Sequence, residues 1–178
     1  VVPKVENENR WLPRPGTTPW QWQLSGPIDP SHDAAMYDID LFDTPDAVFT
    51  NLRARGIRVV CYFSAGSHET GRADESGIPA AAIGRPLEGW PEERWLDIRS
   101  PAVRTVMKAR LQLANQRGCD AVEPDNVDGY ANSSGFSLTA EDQLDYNRFL
   151  AREAHARGLS IGLKNDLDQV AALVSDFD

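Results

Sequence analysis

The feature that most constrains this chain is a unit that recurs three times: a helical stretch closing on Arg-Gly, followed at once by a short apolar strand. It reads LRARG then IRVVCYFSAG, ANQRG then CDAVEPDN, and AHARG then LSIGLKND. Glycine accepts the left-handed backbone that ends a helix, and arginine in the last turn complements the negative end of the helix dipole. The helix starts are equally legible. Thr44-Pro45, Ser100-Pro101 and Thr139 with Asp142 each place a capping oxygen first, two of them with proline at the first helical position. Val103, Met107, Leu111 and Ala114 fall at helical spacing and are read as core-facing.

Strands that alternate with helices imply βα units around a parallel sheet, joined by right-handed crossovers. Five strands are expected: WQWQL, IRVVCYF, a weaker RWLDI, CDAVEPD and LSIGLKN, with MYDIDLF as a candidate addition beside the first. Residues 1–19, rich in proline, asparagine and charge, read as an extended lead-in, and residues 20–178 as the folded α/β domain. A closed (β/α)8 TIM-like barrel takes about 200 residues or more. The fold is therefore either an open doubly wound sheet or an incomplete barrel with about five to six βα units present. The ending DQVAALVSDFD, where a helical pattern gives way to the approach of another strand, favours the barrel with its C-terminal strands missing.

Size and charge narrow the partners. A chain of 178 residues with 41% hydrophobic content suits one domain, and 18 Lys and Arg against 27 Asp and Glu give a net charge of −9. That balance argues against nucleic acid, which needs clustered positive charge, and suits a neutral or cationic partner. No apolar run approaches the roughly 18 residues of a membrane span. The start, VVPKVENENRWLPRPGTT, has no signal-peptide pattern, so the chain is expected to be mature and soluble. Cys61 and Cys119 form either one bridge or two separate buried thiols, and their apolar, strand-like settings favour the thiols.

The strongest chemical signal is CDAVEPDNVDGY, Cys119 to Tyr130, where an apolar strand ends in a burst of acids and amides. Alternation puts Glu123 and Asp125 on one face, with Asp128 just beyond on the loop. Pro124 ends regular pairing, which frees Asp125 and Asn126 to meet a ligand. In α/β folds this is the C-terminal rim, where catalytic groups gather. A solvated loop with an Asx turn is the plainer alternative. Two further strand ends echo the pattern: Ser64, Ser67, His68 and Glu69 close one, and Lys164, Asn165 and Asp166 close the other. A helix N-cap is the plainer alternative for one of Asn165 and Asp166. Trp20, Trp22, Tyr62 and Tyr130 lie at or near strand ends, where flat rings stack on sugars, whereas Trp90 and Trp95 read as packing residues.

Competing chemistries fail on spacing. There is no G-x-G-x-x-G and no phosphate-binding loop, Ser64 lacks the G-x-S-x-G elbow, and His32, His68 and His155 are scattered without a zinc pattern. His155 is read as a helix-surface residue. Asp38, Asp40 and Asp43 lack the glycine and terminal glutamate of a calcium loop and read as a solvated strand edge, with Asp38 or Asp40 in reach of a cleft. Glycoside hydrolysis needs what remains: two carboxylates flanking a bond, with aromatic and hydroxyl-binding neighbours.

On these residues the chain resembles the endo-α-1,4-polygalactosaminidase family of glycoside hydrolases. The likeness rests on W-Q-W-Q-L at Trp20 to Leu24, Y-D-I-D-L-F-D-T at Tyr37 to Thr44, V-C-Y-F-S-A-G-S at Val60 to Ser67, W-L-D-I-R at Trp95 to Arg99, E-P-D-N-V-D-G-Y at Glu123 to Tyr130 and G-L-K-N at Gly162 to Asn165. These segments run in order over almost all of the chain after the lead-in. The resemblance implies a TIM barrel, often secreted, that cuts α-1,4-linked galactosamine polymers of microbial exopolysaccharide with two acidic residues and no metal or other cofactor. It also implies Asp125 as one catalytic acid, and as the other a glutamate on a later strand, expected beyond Asp178. A monomer is expected. The residues expected to bind substrate are Trp22, Asp40, Tyr62, Ser64, Glu123, Asn126, Asp128, Tyr130, Lys164 and Asn165. The alternative from another class is a non-catalytic carbohydrate-binding barrel that keeps the same cleft.

Overall fold

In a computed structural model, residues 10–178 are described; the first nine, part of the expected lead-in, lie outside the described residues. In chain order the elements are β1 (Trp20–Gln23), β2 (Met36–Asp40), α1 (Asp46–Ala54), β3 (Arg58–Ser64), β4 (Ser67–Glu69), β5 (Ile83–Leu87), β6 (Trp90–Leu96), α2 (Pro101–Arg117), β7 (Ala121–Asp125), α3 (Ala140–His155), β8 (Ser160–Ile161) and α4 (Val170–Leu173). The helix ends follow the local chemistry. Gly118 closes α2 in the left-handed region at φ 74°, and Thr139 and Asp142 bond reciprocally in a full capping box on α3. Two expected caps differ in detail. Helix α1 starts at Asp46 with Pro45 in the cap position, and Ser100 precedes α2 without a side-chain cap bond.

Strands β1, β2, β3, β7 and β8 form one parallel sheet in that spatial order. Neighbours follow chain order without a reversal. A doubly wound sheet must reverse at a switch point, so this winding is that of a (β/α) barrel wall. MYDIDLF supplies β2, a full inner strand. RWLDI, expected in the same sheet, is not part of it: β6 pairs antiparallel with β4 and β5 in a separate three-stranded sheet inserted between β3 and α2. Its alternation of apolar and polar residues satisfies either kind of pairing.

The two faces of the parallel sheet differ in kind. Tyr37, Ile39, Val59, Cys61, Phe63, Val122 and Ile161 are fully buried beneath the helices, among Phe49, Leu52, Met107, Leu111, Leu150 and Ala154. Their alternate neighbours, Met36, Asp38, Val60, Ala121, Glu123 and Ser160, line a groove on the opposite face together with Trp20. Cys61 and Cys119 are joined by a disulfide, Cα to Cα 6.0 Å, which corrects the expectation of separate thiols. Neither end of the bridge is surprising once β3 and β7 are seen to be adjacent. Nor are the acids of β2 a solvated edge. Because β1 and β3 flank β2, Asp38 and Asp40 are each only 4% exposed, while the Asp43 side chain stays 80% exposed. Trp95 packs as expected, but Trp90 is 67% exposed.

Candidate active site at the strand ends

The parallel register fixes the geometry. Tyr62 lies opposite Glu123, and Ser64 opposite Asp125, so these side chains emerge on one face at adjacent levels. Asp125, the last residue of β7, is half-buried. Its Oδ2 accepts the Tyr62 hydroxyl at 2.9 Å, and its Oδ1 accepts the Asn126 backbone N–H at 2.8 Å and the Asn165 side-chain amide at 3.3 Å. Three donors from three separate strand ends fix the carboxylate over the rim. Burial and the Asp125 charge push the Tyr62 phenol up, so Tyr62 remains a donor across the ordinary pH range.

One level deeper, Lys164 Nζ bonds Glu123 Oε2 at 2.9 Å and lies 4.9 Å over the Trp22 ring and 5.6 Å over the Tyr62 ring. Beneath them burial pushes Asp38 up to about 9, helped by the Glu123 charge beside it and opposed by Lys164. Asp38, Glu123 and Lys164 thus lie as a stack of ionisable groups below Asp125.

The backbone at the rim is under tension. Asn126, Asn165 and Asp166 adopt left-handed φ values of 60°, 61° and 46° without being glycine. Such residues cost roughly 1–3 kcal/mol each and cluster where function holds them. A Cβ on Gly66 would sit 1.7 Å from the Asn126 carbonyl oxygen, so the β3–β4 turn can approach the β7 end only as glycine. Backbone N–H groups of Ala65 and Gly66 both donate to the Asp125 carbonyl, at 2.9 and 3.0 Å.

Of the residues expected to bind substrate, Trp22, Tyr62, Glu123, Asn126, Lys164 and Asn165 gather around Asp125. Asp128 and Tyr130 line a neighbouring pocket with Asn165. Two others have structural posts. Ser64 is fully buried, accepting from the Asn126 amide at 2.9 Å and from the Ser67 N–H at 3.1 Å. Asp40 caps the N–H groups of Phe42 and Asp43, both at 2.7 Å, and pairs with Arg72 at 2.8 Å. Neither presents its carboxyl or hydroxyl to the cleft.

Glu93 was not singled out in the sequence. It accepts the Ser67 hydroxyl, which in turn meets Ser64 and Asn126, so the inserted sheet is tied to the loop that carries Asp125. Burial pushes its carboxyl up, and no cation among the described residues pairs with it. Nothing in WPEERW distinguishes Glu93 from its charged neighbours; only the opposition of Glu69 and Glu93 across β4 and β6 brings it here. Arg110, 1% exposed, underpins the region by donating to the Ser64 carbonyl at 2.7 Å and to both oxygens of Asp74.

A barrel wall with a fixed carboxylate at the C-terminal strand ends, aromatic rings beside it and no nucleotide loop is the scaffold of a glycoside hydrolase. The chain belongs to glycoside-hydrolase family GH114, whose model matches residues 3–178. It is 44% identical to Aspergillus fumigatus Ega3, solved in complex with galactosamine, with a TM-score of 0.91 over 94% of this chain and 67% of that one. The glycoside hydrolase domain of PelA from Pseudomonas aeruginosa shares the fold at 15% identity and a TM-score of 0.62, covering 89% of this chain and 63% of that one. Eubacterium rectale Amy13B does so at 13% identity and a TM-score of 0.59, over 82% and 40% of the two chains. No curated protein matches the chain.

Proposed function

We propose that this chain forms the catalytic wall of a secreted, endo-acting glycoside hydrolase that cuts α-1,4-linked galactosamine polysaccharide of microbial exopolysaccharide and biofilm, with Asp125 as one of two catalytic carboxylates. The observation that carries the reading is the set of three donors from separate strand ends that hold Asp125 at the rim. The 44% identity to a protein solved with galactosamine supports the choice of sugar. So does the net charge of −9, since a deacetylated galactosamine polymer is cationic near neutral pH and is drawn to an acidic cleft.

In a two-carboxylate mechanism one group protonates the glycosidic oxygen while the other attacks the anomeric carbon or activates a water. Asp125 takes one of these roles. The resemblance assigns the other to a glutamate on a strand beyond the five of this sheet. Trp22 and Tyr62 offer flat faces to the sugar ring, and Lys164, Glu123 and Asn165 offer donors and acceptors to its hydroxyls, while the Asn126 amide is turned inward onto Ser64 and Ser67. The reaction needs no metal or other cofactor, and the protein is expected to act as a monomer.

The test is Asp125→Asn in the active protein. Release of oligosaccharides from deacetylated galactosaminogalactan should fall by at least about 10²-fold with an unchanged circular-dichroism spectrum. Undiminished release would refute the role of Asp125. Binding of the polymer by the unaltered protein with no products released would instead indicate a carbohydrate-binding barrel.

A further inference from the structure

A chain of polar groups runs from the loop after β7 into the inserted sheet. Asn126 donates its side-chain amide to Ser64 Oγ at 2.9 Å and to Ser67 Oγ at 3.3 Å, the two serine hydroxyls meet, and Ser67 Oγ donates to Glu93 Oε2. Ser64 and Ser67 are fully buried, so no solvent competes for their protons. Each hydroxyl has one proton to give, and this fixes the direction of every bond. Ser64 Oγ already accepts from the Asn126 amide and from the Ser67 backbone N–H at 3.1 Å, so among the described residues the acceptor open to its own proton is Ser67 Oγ. Ser67 Oγ thereby receives Ser64 and Asn126, and its own proton is left with Glu93. A carboxylate accepts and does not donate, so the chain ends there.

We propose that Glu93 is a positioning residue of the active site: by ending this chain it orients the Asn126 side chain, and so holds the backbone that delivers the Asn126 N–H to Asp125 Oδ1 at 2.8 Å. The inference deepens the proposed function and rests on it for the role of Asp125. Three observations carry it. Asn126 sits in the left-handed region at φ 60° without being glycine, a conformation its surroundings must hold, and its side chain is bonded to the two buried serines. Ser64 ends a strand of the barrel wall whereas Ser67 and Glu93 lie in the insert, so the chain joins two sheets that share no ladder. Glu69, opposite Glu93 across β4 and β6, pairs with Arg72 at 2.7 Å and faces Arg110 at 3.7 Å. Glu69 is therefore the carboxylate that the arginines anchor, and Glu93 is left to Ser67. Without an acceptor at position 93 the Ser67 proton turns back along the chain, and the Asn126 amide must present its oxygen to Ser64 in place of its nitrogen.

The experiment is a double-mutant cycle on turnover of deacetylated galactosaminogalactan by the active protein, paired with heteronuclear NMR of the 178-residue chain. The variants are Glu93→Ala, Ser67→Ala, their combination and Glu93→Gln. Each alanine variant should lower kcat at least about ten-fold with KM held within about two-fold, because a small misplacement of a reacting group acts on the chemical step. The combined variant should match the slower single one to within about two-fold, since both substitutions break one chain. Glu93→Gln keeps an acceptor oxygen and should restore kcat to within about three-fold of the unaltered protein. In the spectra, the backbone and side-chain amide signals of Asn126 should move in Glu93→Ala and stay in place in Glu93→Gln. Additive losses, a rise in KM in place of a fall in kcat, a glutamine variant as impaired as the alanine one, or unmoved Asn126 signals would overturn the inference. If Glu93→Ala does not fold, Ser67→Ala, which removes the middle link, carries the same expectations against Glu93→Gln. An unaltered protein that releases no oligosaccharides would refute the proposed function instead, and the Asn126 signals would still decide whether Glu93 fixes the loop.

Discussion

Asp38 gives the structure a measurable pH signature. In the folded protein its carboxyl is pushed up to about 9 from 3.8, first by burial and then by Glu123. The folded state therefore keeps a proton that the unfolded chain has already released. Stability is greatest below the unfolded value and falls as pH rises toward the folded one, by at most about 1.4 kcal/mol per pH unit for one proton. Between pH 6.5 and 8 the loss is about 2 kcal/mol. The window lies above Asp166, which titrates near 6, so Asp38 dominates it. Asp38→Asn keeps a neutral donor toward Glu123 but removes the proton, and its stability should be flat across the same window. Urea unfolding followed by tryptophan fluorescence at half-unit pH steps would show the wild-type midpoint falling by about 1 M and the variant midpoint unmoved, for a slope near 2 kcal/mol/M. A flat wild type, or an equal slope in Asp38→Asn, would refute the reasoning that a neutral acid is buried beneath Asp125.

Other perturbations follow from named contacts. The Cys61–Cys119 bridge spans a sequence separation of 58, so its removal by reduction or by Cys61→Ala with Cys119→Ala should cost about 4 kcal/mol on loop entropy. Calorimetry should read this as a fall of roughly 11 °C in Tm, and a shift under 2 °C would contradict it. Gly66→Ala sets a Cβ against the Asn126 carbonyl, so activity should fall at least ten-fold and the NMR signals of Asn126 should move; an active variant with an unshifted spectrum would be inconsistent with the close approach. Arg110→Met strands Asp74 and the Ser64 carbonyl, and denaturant unfolding should show a loss of about 3–5 kcal/mol.

The barrel winding is legible because each unit is local: Arg-Gly, a short apolar run and a capping oxygen are contiguous, and the backbone preferences they encode survive into the fold. What escaped was decided by distance in the chain. The alternating acids of β2 look like a wet edge until Arg72, 32 residues later, arrives on Asp40. The bridge between Cys61 and Cys119 depends on β3 and β7 being neighbours, a property of the sheet and not of either strand. RWLDI carries the period of a strand but no record of which sheet it joins. The rim around Asp125 was readable as a burst of polar groups closing an apolar strand. The division of labour within it was not: Ser64 and Asp40 work inward as props, and Glu93 enters from an element with no distinguishing motif.

The three-stranded insert shares no ladder with the barrel wall, yet its Glu93 and Ser67 grip the loop after β7. The insert is thus held by the Glu93–Ser67 contact and by Ala82, Leu96 and Ile98 in the common core, and not by the strand ladder of the barrel wall. The hairpin whose tip carries the exposed Trp90 can therefore change in length without disturbing the strand register that aims Asp125.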